Sequence, residues 1–120
     1  MDEASRILAR SEEFRASAQA DEVEGRWNAA QENARTACEL AGKAMLLHAT
    51  GDYPRKHAIG GALYDADLIP LGIDPARLSR LLKERTRADY GFFNPVPAED
   101  AREAVGFATC MVAAARERLE

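Results

Sequence analysis

The stretch WNAAQENARTACELAGKAMLLHA, residues 27–49, decides the fold. Trp27, Ala30, Ala34, Ala37, Ala41, Met45 and His48 recur every three or four residues, which is the period of an α-helix and not the alternation of a strand. A second stripe, Leu40, Ala44 and Leu47, lies beside the first. Two adjacent apolar stripes mean burial on more than one side, so this helix is expected at the centre of a bundle. Gly51 ends it, and Asp52-Tyr53-Pro54 cannot continue it.

The same period extends outward in both directions. Upstream, a first helix is expected over residues 3–20, with Ile7, Phe14 and Ala18 on one face. The segment DEVEG, residues 21–25, then serves as the turn, with Gly25 supplying its flexibility. Downstream, a short third helix is expected over 57–68, with Ile59, Ala62, Leu63 and Ala66 facing inward and Leu71-Gly72-Ile73 as a connector. Asp74-Pro75 is a strong start signal for a fourth helix, an aspartate cap followed by proline at the first helical position. That helix carries Leu78, Leu81 and Leu82 on one side and basic residues on the other. Residues 91–96 read as a loop, and Pro97 opens a fifth helix whose stripe is Ala101, Ala104, Val105, Ala108, Val112, Ala115 and Leu119. Glu99 and Asp100 suit its positive end, Arg116 and Arg118 its negative end. No segment alternates like a strand, and there is no internal repeat. The expectation is all-α: one domain over residues 1–120, an up-and-down helical bundle of about five helices, four main and one short.

Composition agrees. Hydrophobic residues make up 47% of the 120 and charged residues 30%, enough apolar material for one core. Much of it is alanine, so each helix buries a thin face and a partner subunit would add to the core. Cys38 and Cys110 both fall in apolar helical patterns and read as small buried hydrophobes. Two cysteines and two histidines far apart in sequence give no zinc spacing, and neither a metal nor a cofactor is expected. The N-terminal MDEASR lacks the basic-then-apolar order of a signal peptide, and the apolar run 107–115 is far too short for a bilayer. A cytoplasmic protein with no membrane contact is the expectation.

The net charge of −4 would not by itself suggest a nucleic-acid binder, but its distribution is uneven. In residues 76–94 the sign reverses, with Arg77, Arg80, Lys83, Arg85 and Arg87 against Glu84 and Asp89. Such a segment in an acidic chain is fit to hold a phosphate. On charge alone the first reading is a solvated helix face that balances acidic neighbours.

Around this segment the chain resembles a known family. LxxLLKERTRADYG, Leu78 to Gly91, followed by a proline-opened, alanine-rich helix, is similar to the C-terminal half of one subfamily of HEPN (higher eukaryotes and prokaryotes nucleotide-binding) domains. Its R-x-x-A-D-Y element falls on Arg85, Ala88, Asp89 and Tyr90. The earlier QENARTACELAGKAMLL, then GDYPRKH and a short helix, resembles the family's long helix, its lysine and its histidine-bearing turn; the likeness spans roughly residues 3–119. It implies a small helical bundle, usually a homodimer, often encoded beside a minimal nucleotidyltransferase as a toxin–antitoxin pair. Many members are metal-independent RNases built on R-x4–6-H, the arginine and histidine meeting their counterparts across the dimer. This chain departs from that motif, because the positions that follow Arg85 at that spacing are Tyr90, Gly91 and Phe92. Imidazole titrates near neutral pH, whereas a phenol with a pKa of about 10 is a poor general base. An arginine still grips phosphate without cleaving anything.

The candidate nucleotide- or RNA-binding residues are therefore Arg85, Arg87, Asp89, Tyr90, Lys83, Arg55, Lys56, His57 and Lys43. Each has a plainer account. Arg85, Asp89 and Tyr90 span just over one helical turn, so an Arg–Asp pair closing the helix explains them as well as a ligand does. Tyr90 with Gly91-Phe92-Phe93 is also an aromatic plug for the bundle or the dimer. His57 is a polar start for the third helix, Lys43 a snorkelling side chain, and Pro54-Arg55-Lys56-His57 an ordinary solvated turn. Gln31 and Asn33 read as satisfying local hydrogen bonds. The leading reading is a homodimeric module that binds nucleotide or RNA phosphate, or docks on a nucleotidyltransferase. The rivals are an active or degenerate metal-independent RNase, with Arg85 and His57 as its working groups, and a purely structural dimer.

Overall fold

A computed structural model describes residues 1–55, 58–83 and 95–120. It holds five helices: α1 (Glu3–Val23), α2 (Trp27–Thr50), α3 (Ile59–Asp65), α4 (Pro75–Lys83) and α5 (Ala98–Leu119). No strand occurs among the described residues, so the all-α class and the helical-bundle architecture hold. None of these helices is long and apolar enough to cross a membrane.

The central helix is α2, which packs against all four others, while α1 and α5 also pack on each other. Small residues make this possible. Ala30, Ala34, Ala37, Ala41 and Ala44 of α2 are fully buried, as are Ala101, Ala108 and Ala115 of α5. On α1 the buried residues Ala4, Ser11 and Ala18 recur every seventh position, flanked by the half-buried Leu8 and Phe14. Alanine backbones approach closely, so little apolar volume is needed to close this layer. The larger side chains gather where α3 and α4 pack on α2: Met45, Ile59, Leu63 and Leu78 are wholly buried, with Leu81 and Leu82 nearly so. Each such side chain contributes about 1.5–3 kcal/mol on burial. Leu78, Leu81 and Leu82 together fix which way α4 faces.

Polar contacts pin the joints. Ser11 Oγ donates to the Ala37 carbonyl at 2.7 Å in the α1–α2 interface. Asp21, 9% exposed, accepts from Arg26 Nε at 2.9 Å and Asn33 Nδ2 at 2.8 Å. Val96 N–H donates to Asn28 Oδ1 at 3.0 Å, tying the entry of α5 to the start of α2.

Several sequence expectations need correction. The first helix runs three residues beyond Ala20, because Asp21 is a buried hydrogen-bond acceptor and not a turn residue. Gly25 is held at φ 73° while Arg26 N–H donates to the Asp21 carbonyl and Gly25 N–H to that of Glu22. This is a paired helix-end closure that needs a left-handed residue, so the glycine is a fixed cap and not a flexible link. The third helix ends at Asp65 and not at Leu68 by the same closure. Asp67 takes the left-handed position at φ 57°, with Leu68 N–H on the Leu63 carbonyl and Asp67 N–H on that of Tyr64. Leu68 is buried as the closing hydrophobe of this motif, and Ala66 is exposed. His48 is exposed and Leu46, not Leu47, is the buried leucine at that level. Cys38 is buried as expected, but Cys110 is exposed, since the apolar run of α5 is wider than its buried face. Pro97 caps α5 from outside, and the helix starts at Ala98.

Candidate functional site

The sequence sets α4 up as a two-sided element. Asp74 Oδ1 accepts from Ala76 N–H at 2.8 Å and more weakly from Arg77 N–H at 3.4 Å, the cap that its position before Pro75 predicts. With the three leucines turned inward, Arg77, Arg80 and Lys83 are exposed. Arg77 is neutralised by Glu103 of α5 at 3.0 Å. Arg80 and Lys83 form no ion pair among the described residues.

Two recesses flank α4. The first, of about 410 Å³, is bordered by Pro54 on one side and by Gly61, Asp65, Ser79 and Lys83 on the other. It brings Pro54 near Lys83 at the end of α4. Arg55 is exposed, with no ion pair among the described residues. Lys56 and His57 lie outside the described residues, as do Arg85, Arg87, Asp89 and Tyr90.

The second recess, of about 210 Å³, lies between α2, α4 and α5. Gln31 of α2 lines it, together with Arg77, Arg80, Asp100, Glu103 and the half-buried Phe107. The Gln31 side chain is 6% exposed and makes no hydrogen bond among the described residues. Nearly all buried polar groups in folded proteins are paired, so an unpaired amide at the wall of a recess is a candidate ligand contact. Sequence reasoning passed over it as a local hydrogen-bond former. The usable signal was spacing: Gln31, Cys38 and Met45 stand seven residues apart, and the latter two are fully buried. Asn33, by contrast, is paired, though not locally: it donates to Asp21 across the α1–α2 joint.

Lys43 belongs to neither recess. It is half-buried on α2, 3.3 Å from Glu39 and 5.5 Å from the centre of the Tyr53 ring. It ends a ladder in which Arg35 bonds Glu32 at 2.6 Å and Glu39 at 3.4 Å. Burial works to lower the pKa of the Arg35 guanidinium, but Glu32 and then Glu39 outweigh it and hold the value above its ordinary level. This face of α2 is internally compensated and offers no free charge. No cluster of metal-ligating side chains occurs among the described residues.

A helical bundle with one short basic helix beside two recesses defines a small all-α module. The family model for the HEPN domain matches residues 4–118, nearly the whole chain, and the chain belongs to the HEPN domain family. No curated protein matches it.

Proposed function

We propose that this HEPN domain binds the phosphates of a nucleotide or RNA through α4 and the basic segment that follows it, and that it does so as a homodimer. The observation that carries the reading is the pair of uncompensated cations, Arg80 and Lys83, on the exposed side of a helix whose other side is locked into the core. In a chain of net charge −4, cations left without carboxylate partners are available to an external anion. Arg85 and Arg87 continue the same basic run in sequence. The thin alanine core and the exposed Tyr64 and Leu71 support assembly with a second copy. A minimal nucleotidyltransferase, in a toxin–antitoxin arrangement, is the protein partner that the resemblance suggests.

The module binds without cutting. Tyr90 stands where the family's RNases carry histidine, and a phenol is almost wholly protonated at pH 7. The test is fluorescence anisotropy with a short oligouridine RNA over a range of salt, on the wild type and on Arg80→Ala/Lys83→Ala. Two lost phosphate contacts should lower the salt slope by about 1.4 and weaken binding tenfold or more. Light scattering should return twice the chain mass. Unchanged affinity and slope in the double variant would refute the reading, and RNA cleavage abolished by His57→Ala would replace it with the RNase.

A further inference from the structure

The recess around Gln31 has a composition that phosphate binding does not explain. A phosphate site would not place Asp100 and Glu103 beside the anion, and it has no use for an aromatic ring. The recess mixes donors, acceptors and a flat apolar face. Its roughly 210 Å³ is below the ~300–1,000 Å³ of sites for drug-sized ligands and suits a single ring system. We propose that it is a guanine-base subsite, and this rests on the reading of the domain as a nucleotide- or RNA-binding module.

The reasoning starts at the unpartnered amide. The Gln31 side chain offers one donor and one acceptor side by side, which can pair with two adjacent positions on a base edge. Every base can meet that pair. On guanine the amide N–H goes to O6 and the amide oxygen receives N1–H; on adenine, cytosine and uracil an equivalent acceptor–donor pair exists. The third position discriminates. Next to N1–H guanine presents its N2 amine, a donor, and Asp100 lines the recess with a carboxylate that forms no ion pair among the described residues. Cytosine and uracil present a carbonyl oxygen there, which a carboxylate repels, and adenine presents only a C–H.

The remaining walls fit the same ligand. Arg80, also without an ion pair, can donate to N7, the acceptor that arginine most often reads on guanine. Phe107, packed against the core and lining the recess, supplies a ring for stacking. The Arg77–Glu103 pair, at 3.0 Å, satisfies itself and closes the rim without adding net charge. In this arrangement Lys83 marks where phosphates run, and Gln31 with Asp100 chooses which base sits beside it.

The test is calorimetric titration of the full protein with the four nucleoside monophosphates and with inosine monophosphate, which lacks the N2 amine. Guanosine monophosphate should bind at least tenfold tighter than the adenosine, cytidine and uridine forms, and inosine monophosphate should lose most of that advantage. Gln31→Leu and Asp100→Ala should each weaken guanosine monophosphate about tenfold or more while leaving oligouridine binding as in the wild type. Gln31→Leu replaces an unpaired amide with a side chain of similar size, so its melting temperature should not fall, which separates a lost ligand from a lost fold. Equal affinity for all the nucleotides, no detectable binding of any, or an unaffected Gln31→Leu overturns the proposal. Oligouridine binding without base preference removes the subsite and spares the phosphate reading; guanosine preference without oligouridine binding does the reverse.

Discussion

Replacing Gly60 with alanine tests whether α4 is held in place by a close crossing with α3. A methyl at this position would stand 2.5 Å from Ser79 Oγ and 3.2 Å from both the Cα and the Cβ of Ser79. The hydroxyl can rotate away, but the Cα cannot move unless α4 moves with it. Two effects oppose each other. Alanine is favoured over glycine inside a helix by about 1 kcal/mol, and by less near the end of a helix only seven residues long. Overfilling a packed contact costs about 1–3 kcal/mol. The cost wins, leaving Gly60→Ala destabilised by about 1–2 kcal/mol, or roughly 4–8 °C in melting temperature for a chain of this size. The neighbouring glycine is the control. Gly61 is exposed, and a methyl there meets nothing within 4 Å. Gly61→Ala should therefore gain about 0.5–1 kcal/mol, with the melt moving up instead of down. Urea and thermal unfolding of both variants, followed by circular dichroism, give the signs directly. If Gly60→Ala is as stable as Gly61→Ala, the crossing is loose and the argument that α4 is a fixed platform for its cations fails.

Two further predictions concern groups whose environments are equally definite. Cys38 is fully buried, and burial pushes its thiol pKa well above the ordinary value, whereas Cys110 is exposed. An alkylating reagent at pH 8 should add one label to the native protein, at Cys110, and a second only in denaturant; rapid double labelling of the native state would contradict the α1–α2–α5 packing. Asp21→Ala removes the acceptor of both Arg26 and Asn33 and should destabilise by about 2 kcal/mol, read by urea unfolding. An unchanged unfolding midpoint would mean that the closure of α1 does not depend on that carboxylate.

The course of each helix was legible because burial of one face writes a period of 3.6 into the sequence, and Asp74-Pro75 and Gly51 are strong local signals. The ends were less legible for a specific reason. Apolar periodicity cannot tell a leucine in the last helical turn from one that folds back to close the helix, and Leu68 is of the second kind. Asp67 gave no warning, because a left-handed aspartate looks like any other helix-end acid in a sequence. The Asp21 error has the same root. An acid beside a glycine reads as a turn unless its partners are known, and those partners, Arg26 and Asn33, lie beyond the turn.

The candidate binding surface was legible in the same uneven way, and the difference follows from how charge and burial are encoded. The reversal of charge sign at residues 76–94 is a property of the sequence alone, so α4 stood out as a basic element. Which of its cations are free is a property of the neighbours. Arg77 and Arg80 look alike in sequence, yet only Arg77 meets Glu103 of α5. Gln31 makes the point more strongly. In sequence it reads as an ordinary hydrogen-bonding residue in an alanine-rich helix, and only the approach of α4 and α5 encloses it and leaves its amide unpaired. An amide on a free helix loses nothing by pointing at water, whereas the same amide enclosed needs a partner. The thin alanine layer that brings α5 close to α2 also creates that need, so the same small side chains set the packing and enclose the amide.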